Sequence, residues 1–243
     1  MTTDLILIPT QLERNTLQPY LDEADQHSQS PHTGGTHLQA RPQLRIALCG
    51  FGPIVSAARA VQLLQTTQAE RVWLLGIAGT LTNQLRIGQA YTFDATACYG
   101  IGAGTGAAHQ SAASMGWKQW PQSPQIGDTL PLTVSPAFHQ DSATTAIAKG
   151  VLLTCPSASA DREDVALRRQ AYSDACAEDM EGFSVATACH LLNTPLHIIR
   201  GISNQAGDRD HNQWKIDQAL RAVGELFLRA RDSQPPSQLS PHR

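Results

Sequence analysis

Short apolar runs alternate with helix-like segments along this chain of 243 residues, and this alternation constrains its fold more than any other feature. The runs are rich in Leu, Ile and Val, as buried strands are, and the segments between them have the length and spacing of helices. Strands are predicted at residues 5–8, 44–49, 71–75, 89–97, 150–154 and 196–202. Helices are predicted to begin at Gln11, to end at Leu64, and to span 161–172 and 212–231. The pattern predicts a single α/β domain over residues 1–231, with a parallel or mixed sheet covered by helices on both faces.

Composition excludes several classes of protein. Hydrophobic residues make up 41% of the chain, which is enough for a sizeable core. The net charge of −3 offers no basic surface for nucleic acid. No apolar run reaches the roughly 18 residues that a membrane span needs, so no membrane partner is expected. The first residues also lack the basic segment of a secretory signal, so a cytoplasmic location is expected.

The cysteines and histidines predict neither disulfides nor a metal site. Five cysteines, an odd number, are widely scattered and lie mostly in apolar runs, which favours reduced thiols in the core. No Cys/His pair has the spacing of a zinc site. His27, His32 and His37 recur at intervals of five, which does not align side chains on one helix face. No metal is therefore predicted.

Three segments differ from the rest in composition. Residues 22–43 are rich in His, Gln, Ser, Pro and Gly with hardly an aliphatic residue, so a flexible surface insertion is predicted there. Residues 99–138 are rich in Gly, Ser, Pro, Gln and Trp and are predicted to be irregular. Residues 232–243 contain three prolines and are predicted to be a disordered tail.

The stretch from residue 177 to residue 204 carries the strongest indication of a site. Residues 177–193 are predicted to form a helix with Asp179 as N-cap and Glu181 in the first turn, where the helix dipole favours a carboxylate. The following strand at 196–202 runs into Ser203 and Asn204, at an edge where open α/β sheets usually hold ligands. Met180, Glu181 and Asn204 are therefore expected within reach of one small molecule.

Two further motifs each admit a structural and a functional interpretation. Thr10 and Glu13 have the spacing of a helix-capping box, and Glu13 also lies just after the first strand, where a catalytic carboxylate would lie. Gly50 and Gly52 follow the second strand, but Val55 stands where a dinucleotide fingerprint needs its third glycine. This turn is therefore predicted to be a tight strand-to-helix connection that passes close to a small ligand.

The segment Gly207-Asp208-Arg209-Asp210 precedes the last helix and also has two interpretations. Two aspartates two residues apart are too few ligands for calcium, so a surface turn is one of them. The other is that Arg209 helps to hold the substrate or the binding loop.

These motifs together resemble those of the nucleoside phosphorylase and nucleosidase superfamily. The superfamily pattern E-x-M-E followed by R-x-I-S-D/N is matched by E-D-M-E at 178–181 and R-G-I-S-N at 200–204. The motifs around Glu13, at 50–52 and at 76–79 fall in the expected order. The run S-N-Q-A-G-D-R-D-H-N-Q-W-K-I at 203–216 resembles the futalosine hydrolase branch. The resemblance covers nearly the whole chain apart from the two irregular regions and the tail.

The resemblance implies a fold and a reaction. The implied fold is a central mixed, barrel-like β-sheet flanked by helices. The implied reaction is hydrolysis of the N-glycosidic bond of futalosine to hypoxanthine and dehypoxanthinyl futalosine, a step in menaquinone biosynthesis, without cofactor or metal. Members commonly form dimers or larger assemblies, so a homo-oligomer is expected.

The resemblance also implies roles for individual residues. Glu13 matches the general base that activates water, and Asn204 matches the purine-binding position. Met180 packs against the ribose, and Glu181 binds its hydroxyls. Further substrate contacts are expected from Gly52, Ile77, Ala78 and Arg209.

Two positions refine the expected activity. Adenine-cleaving members carry Asp at the position of Asn204, whereas an amide offers a donor for a 6-oxo group and an acceptor for a protonated N7, which favours hypoxanthine or guanine. Ile77 stands where phosphorylases often have a serine for phosphate, which favours water as the nucleophile. The alternatives are a 6-oxopurine phosphorylase, a methylthioadenosine/S-adenosylhomocysteine-type nucleosidase, and a nucleoside-binding protein without catalysis.

Overall fold

A computed structural model describes residues 2–29, 42–135 and 146–232, and its centre is a mixed β-sheet. The strands are β1 (Thr3–Ile8), β2 (Gln43–Leu48), β3 (Arg71–Thr80), β4 (Ala90–Thr92), β5 (Ala95–Cys98), β6 (Gly102–Ala103), β7 (Gln110–Ser111), β8 (Thr129–Pro131), β9 (Val151–Thr154), β10 (Ala175–Asp179) and β11 (Leu196–Gln205). The α-helices are α1 (Gln11–Gln29), α2 (Pro53–Thr67), α3 (Arg162–Ala171), α4 (Gly182–Leu191) and α5 (Ile216–Asp232).

Strand β3 is the centre of the sheet. It pairs in parallel with β1 and with β11, and its last residues pair antiparallel with β10. The order then runs from β10 through β9 to β5, and β5 follows β4 in the chain after two residues. Because β4 pairs with β11, these strands lead back to β3. The predicted mixed, barrel-like sheet flanked by helices is confirmed.

The boundaries of the predicted insertion were wrong at both ends. Helix α1 continues through Gln29, and β2 already begins at Gln43. The helix continues because Leu17, Leu21 and Ala24 make a fully buried stripe at helical spacing, and this packing outweighs the polar composition around it. Residues 30–41, with two of the three histidines, lie outside the described ranges, as do residues 233–243 of the predicted tail.

Other element boundaries also differ from the prediction. The predicted strand at 89–97 is two short strands, β4 and β5. The predicted irregular region contains the small hairpin of β6 and β7 and also β8. The last helix begins at Ile216 rather than at 212, because His211–Gln213 forms a separate 3-10 turn capped by Asp210.

The core consists of apolar side chains on both faces of the sheet and includes the cysteines. All five are buried and none is in a disulfide. Burial raises the pKa of Cys49, Cys98, Cys176 and Cys189 to about 12, so these thiols stay protonated at neutral pH. None of the helices in the described ranges is both long and apolar enough to cross a bilayer.

Candidate active site

The carboxyl-terminal half of β3 brings the distant motifs together. Gly79 pairs with Glu178 of β10 on one side and with Asn204 of β11 on the other. Gly76, three residues earlier, pairs with Arg200 of β11. Because β10 runs antiparallel to β3, the chain that leaves β10 continues alongside β3 in the direction of Gly76. Residues 178–181 and residues 200–204, the two parts of the superfamily pattern, are therefore brought to the same segment of β3.

A cavity of about 410 Å³ lies at this place. Seven of the eight residues predicted for the site line it. They are Glu13, Ile77, Ala78, Met180, Glu181, Asn204 and Arg209. The eighth, Gly52, is not among the lining residues, but its backbone N–H binds the carboxylate of Glu181. The volume is that of a site for a small organic molecule.

Glu13 forms the predicted capping box and also lines the cavity. Its Oε2 accepts hydrogen bonds from the backbone N–H (3.0 Å) and the hydroxyl (2.6 Å) of Thr10, which is the capping box. Its Oε1 accepts a hydrogen bond from the N–H of Ile77 at 3.1 Å. A carboxylate has about four acceptor positions, so one position remains for a further donor in the cavity. The cap therefore fixes the carboxylate and leaves it able to act.

Glu181 is held beside the cavity by two donors. Its Oε1 accepts from the N–H of Gly52 at 3.0 Å, and its Oε2 from Nη2 of Arg200 at 3.3 Å. Gly52 has φ of 83°, a conformation that a side chain would strain, and this turn directs its N–H at the carboxylate. Burial, together with the nearby carboxylates of Asp179 and Glu13, raises the pKa of Glu181 to about 7, and Arg200 and Gly52 oppose the rise.

The predicted N-cap was wrong, because Asp179 ends β10 and Glu181 occupies the N-cap position of α4. Asp179 still binds the helix start, since its Oδ2 accepts from the N–H of Gly182 at 2.9 Å. The same oxygen accepts from Nε (3.0 Å) and Nη2 (2.7 Å) of Arg200. Its Oδ1 accepts from the hydroxyl of Thr154 at 2.6 Å. A buried arginine requires such a carboxylate, and this requirement places Asp179 in the strand.

Arg200 is the residue of this site to which the motif analysis gave no role. Its side chain is fully buried, and its guanidinium binds both Asp179 and Glu181. Within the described part of the chain, its Nη1 has no hydrogen-bond partner. A charged residue between Ile199 and Ile202 in an apolar strand was the signal available in the sequence, because such a residue is almost never buried unless paired.

Asn204 lies at an irregularity of β11. The register against β3 shifts between Ile202 and Asn204, and such a bulge redirects the side chains beside it. The Asn204 oxygen accepts a hydrogen bond from the hydroxyl of Ser203 at 2.8 Å, and its nitrogen donates to the carbonyl of Gln205 at 2.9 Å. The amide is thus oriented by its two neighbours along the chain.

The rim of the cavity carries a cation and aromatic rings. The guanidinium of Arg209 lies 5.3 Å from the ring centroid of Trp214, and the His211 ring stacks on the same indole at 4.3 Å. All three line the cavity. The indole N–H is anchored by the carbonyl of Asp208 at 3.1 Å. No group of three His, Cys, Asp or Glu side chains within the described ranges is placed to hold a metal ion.

The known proteins to which this chain is similar include nucleosidases. The chain is 28% identical over 148 residues to the futalosine hydrolase of Streptomyces coelicolor, a match that spans 61% of this chain and 59% of that protein. It is 24% identical over 209 residues to the aminodeoxyfutalosine nucleosidase of Campylobacter jejuni, covering 84% of this chain and 88% of that protein. The fold is similar to that of a 5'-methylthioadenosine/S-adenosylhomocysteine nucleosidase from Neisseria meningitidis, with a TM-score of 0.74 and 20% identity, covering 96% of this chain and 100% of that one.

The chain also matches a family model over most of its length. The model of the Phosphorylase superfamily matches residues 6–230, which include every residue named above as lining the cavity. The chain therefore belongs to the Phosphorylase superfamily.

Proposed function

We propose that this protein is a nucleosidase that hydrolyses the N-glycosidic bond of a purine nucleoside, with futalosine as its preferred substrate. One observation carries the proposal: Glu13, Glu181 and Asn204, far apart in the chain, line one cavity of about 410 Å³. These residues supply a base for water, an anion for the ribose and an amide for the purine. The names of the Streptomyces and Campylobacter relatives support the choice of futalosine.

The ribose end accounts for bond cleavage. As the glycosidic bond breaks, positive charge develops on the ribose, so an anion fixed beside it stabilises the transition state more than the ground state. Glu181 is such an anion when ionised, and Gly52 and Arg200 hold it in place. Met180 lines the same part of the cavity, where its thioether packs against the sugar without competing for its hydroxyls.

Water is activated between Glu13 and Arg200. A methyl group at Gly76 would lie 2.8 Å from Oε1 of Glu13 and 2.2 Å from Nη1 of Arg200, so these two groups meet at the same glycine. A water bound between the two side chains donates to the free acceptor position of Glu13 and accepts from Nη1, which satisfies a buried donor. Glu13 then takes the proton as water attacks the sugar.

A second candidate is the hydrolysis of 6-amino nucleosides such as 5'-methylthioadenosine, the substrate for which the Neisseria nucleosidase of the same fold is named. The 6-substituent of the purine decides between the two candidates. The wrong substituent leaves a buried polar group without a hydrogen-bond partner, which costs about 1–3 kcal/mol of binding free energy. Phosphorolysis is disfavoured, since Ile77 places an apolar side chain at the cavity where phosphate would need a hydroxyl.

The test is to incubate the purified protein with futalosine, inosine and 5'-methylthioadenosine, each with and without phosphate, and to identify the released base by chromatography. The proposal expects hypoxanthine from futalosine at a rate that phosphate does not change. Adenine released from 5'-methylthioadenosine at the greater kcat/KM would establish the second candidate. Dependence on phosphate would establish a phosphorylase.

Glu13→Gln tests the assignment of Glu13 as the general base. It removes the proton acceptor and keeps the shape of the side chain, so we expect kcat to fall about 10²–10⁴-fold while substrate binding persists. The matched control is Glu163→Gln, an exposed glutamate in the first turn of α3, which should retain full activity. Unchanged turnover in Glu13→Gln would remove the residue from the mechanism.

A further inference from the structure

A second buried ion pair borders the cavity, since Glu178 is itself among the lining residues, and the proposed mechanism does not use this pair. Arg168 of α3 and Glu178 of β10 are 4% and 5% exposed and form a salt bridge. Glu178 also accepts hydrogen bonds from the backbone N–H of Ser159 at 2.9 Å and from its hydroxyl at 2.6 Å. Arg168 donates to that hydroxyl at 2.6 Å and to the carbonyl of Ser157 at 2.8 Å.

These contacts hold both ends of one short segment. Ser157 is bound through its carbonyl and Ser159 through its N–H and hydroxyl, and Ala158 between them lines the cavity. The same loop then abuts the loop after β11, because a methyl group at Gly207 would lie 2.5 Å from the carbonyl oxygen of Asp161. The ion pair therefore fixes one wall of the cavity.

The position of Glu178 identifies which end of the cavity this wall borders. Glu178 and Asn204 pair with Gly79 from opposite sides, so their backbones are about 10 Å apart, which is two strand spacings. Glu13 and Arg200 instead meet at Gly76, about 10 Å earlier along β3. The wall thus belongs to the end of the cavity where Asn204 would bind the purine, and not to the end where the glycosidic bond would be cleaved.

Stability does not explain the pair. Exchanging a buried ion pair for apolar side chains of similar volume is often neutral or stabilising, so such a pair is weak evidence for stability. Here the hydrogen bonds that the pair makes outside itself go to Ser157 and Ser159, on either side of Ala158, while the guanidinium of Arg168 also lies over the ring of Tyr99. We infer that Arg168 and Glu178 are positioning residues, which fix segment 157–159 as the wall of the base-binding end and thereby set affinity for the nucleoside rather than the rate of bond cleavage. The inference rests on the proposed nucleosidase function.

The test compares steady-state kinetics on futalosine and inhibition by free hypoxanthine. For Arg168→Met we expect KM and the hypoxanthine inhibition constant to rise together by about 10-fold while kcat stays within about twofold. Arg168→Lys keeps the charge and should recover part of the loss. The matched control is Arg169→Met, since Arg169 is exposed on the same helix, and both constants should remain those of the wild type.

Ser159→Ala provides a second variant, which leaves both charges paired and removes only the bridging hydroxyl. The same two constants should rise together in it, by about threefold, even if Arg168→Met does not fold. A fall in kcat with both constants unchanged, in either variant, would overturn the positioning role. A wild-type protein that turns over no nucleoside would refute the proposed function itself, and the inference with it.

Discussion

At the scale of single residues, the amide of Asn204 offers the sharpest test of substrate choice. We expect Asn204→Asp to lower kcat/KM for futalosine relative to its 6-amino counterpart by about 10-fold or more, because a carboxylate cannot donate to a 6-oxo group. The ratio of the two kcat/KM values is the measurement. Asn83→Asp, the same change at an exposed position, should leave the ratio as it is. An unchanged ratio in Asn204→Asp would show that this position does not read the base.

Glu181 couples the chemistry of the site to the stability of the fold. Its pKa is about 7 in the folded protein, against 4.5 for the free side chain. Between these values the native state keeps a proton that the unfolded chain has released, so stability falls as pH rises through this window. Glu181→Gln mimics the protonated acid and does not titrate. We expect its unfolding free energy minus that of the wild type to increase by about 2 kcal/mol from pH 5 to pH 8. Urea unfolding at both values measures the difference, and a difference independent of pH would contradict this assignment.

At the scale of elements, β3 must contain a glycine at position 76. A methyl group there would overlap Nη1 of Arg200 and Oε1 of Glu13, and the fully buried arginine has little room to move. We expect Gly76→Ala to reduce kcat by at least about 10-fold and to destabilise the fold by about 1–3 kcal/mol. Kinetics and thermal unfolding measure both effects. Gly127→Ala is the control, because a methyl group at Gly127 has no neighbour within 4 Å, and full activity in Gly76→Ala would disprove the close approach.

The elements also show what the sequence could and could not predict. Local signals were sufficient for the capping box at Thr10 and Glu13 and for the apolar strands, since each depends on neighbours in the chain. Strand β10 was missed altogether, and residues 177–179 were assigned to a helix, because Asp179 resembles an N-cap and its place in the strand depends on the distant partners Arg200 and Thr154. The wall at segment 157–159 was missed for the same reason, as it depends on pairing between distant elements.

At the scale of the whole molecule, Arg231 joins the last helix to the first. Its Nη1 donates to the carbonyl of Ala24 at 2.7 Å, and its Nη2 to the hydroxyl of Ser28 at 2.5 Å. Its Nε lies 3.7 Å from Asp4, at the amino end of β1 and thus away from the cavity. We expect Arg231→Met to lower the unfolding free energy by about 2 kcal/mol with KM unchanged. Urea unfolding and kinetics check this against Arg221→Met, an exposed position on the same helix. A rise in KM would indicate a coupling to the cavity that the contacts do not explain.

In the proposed mechanism, strand β3 separates two tasks along its length. Groups that would cleave the glycosidic bond gather at Gly76, whereas Asn204 and Glu178 flank Gly79 on neighbouring strands. Nucleobase preference can therefore evolve through the two flanks of one backbone position while the hydrolytic apparatus stays intact. An engineer who wishes to retune this scaffold for another purine should begin at those flanks and leave the ribose side alone.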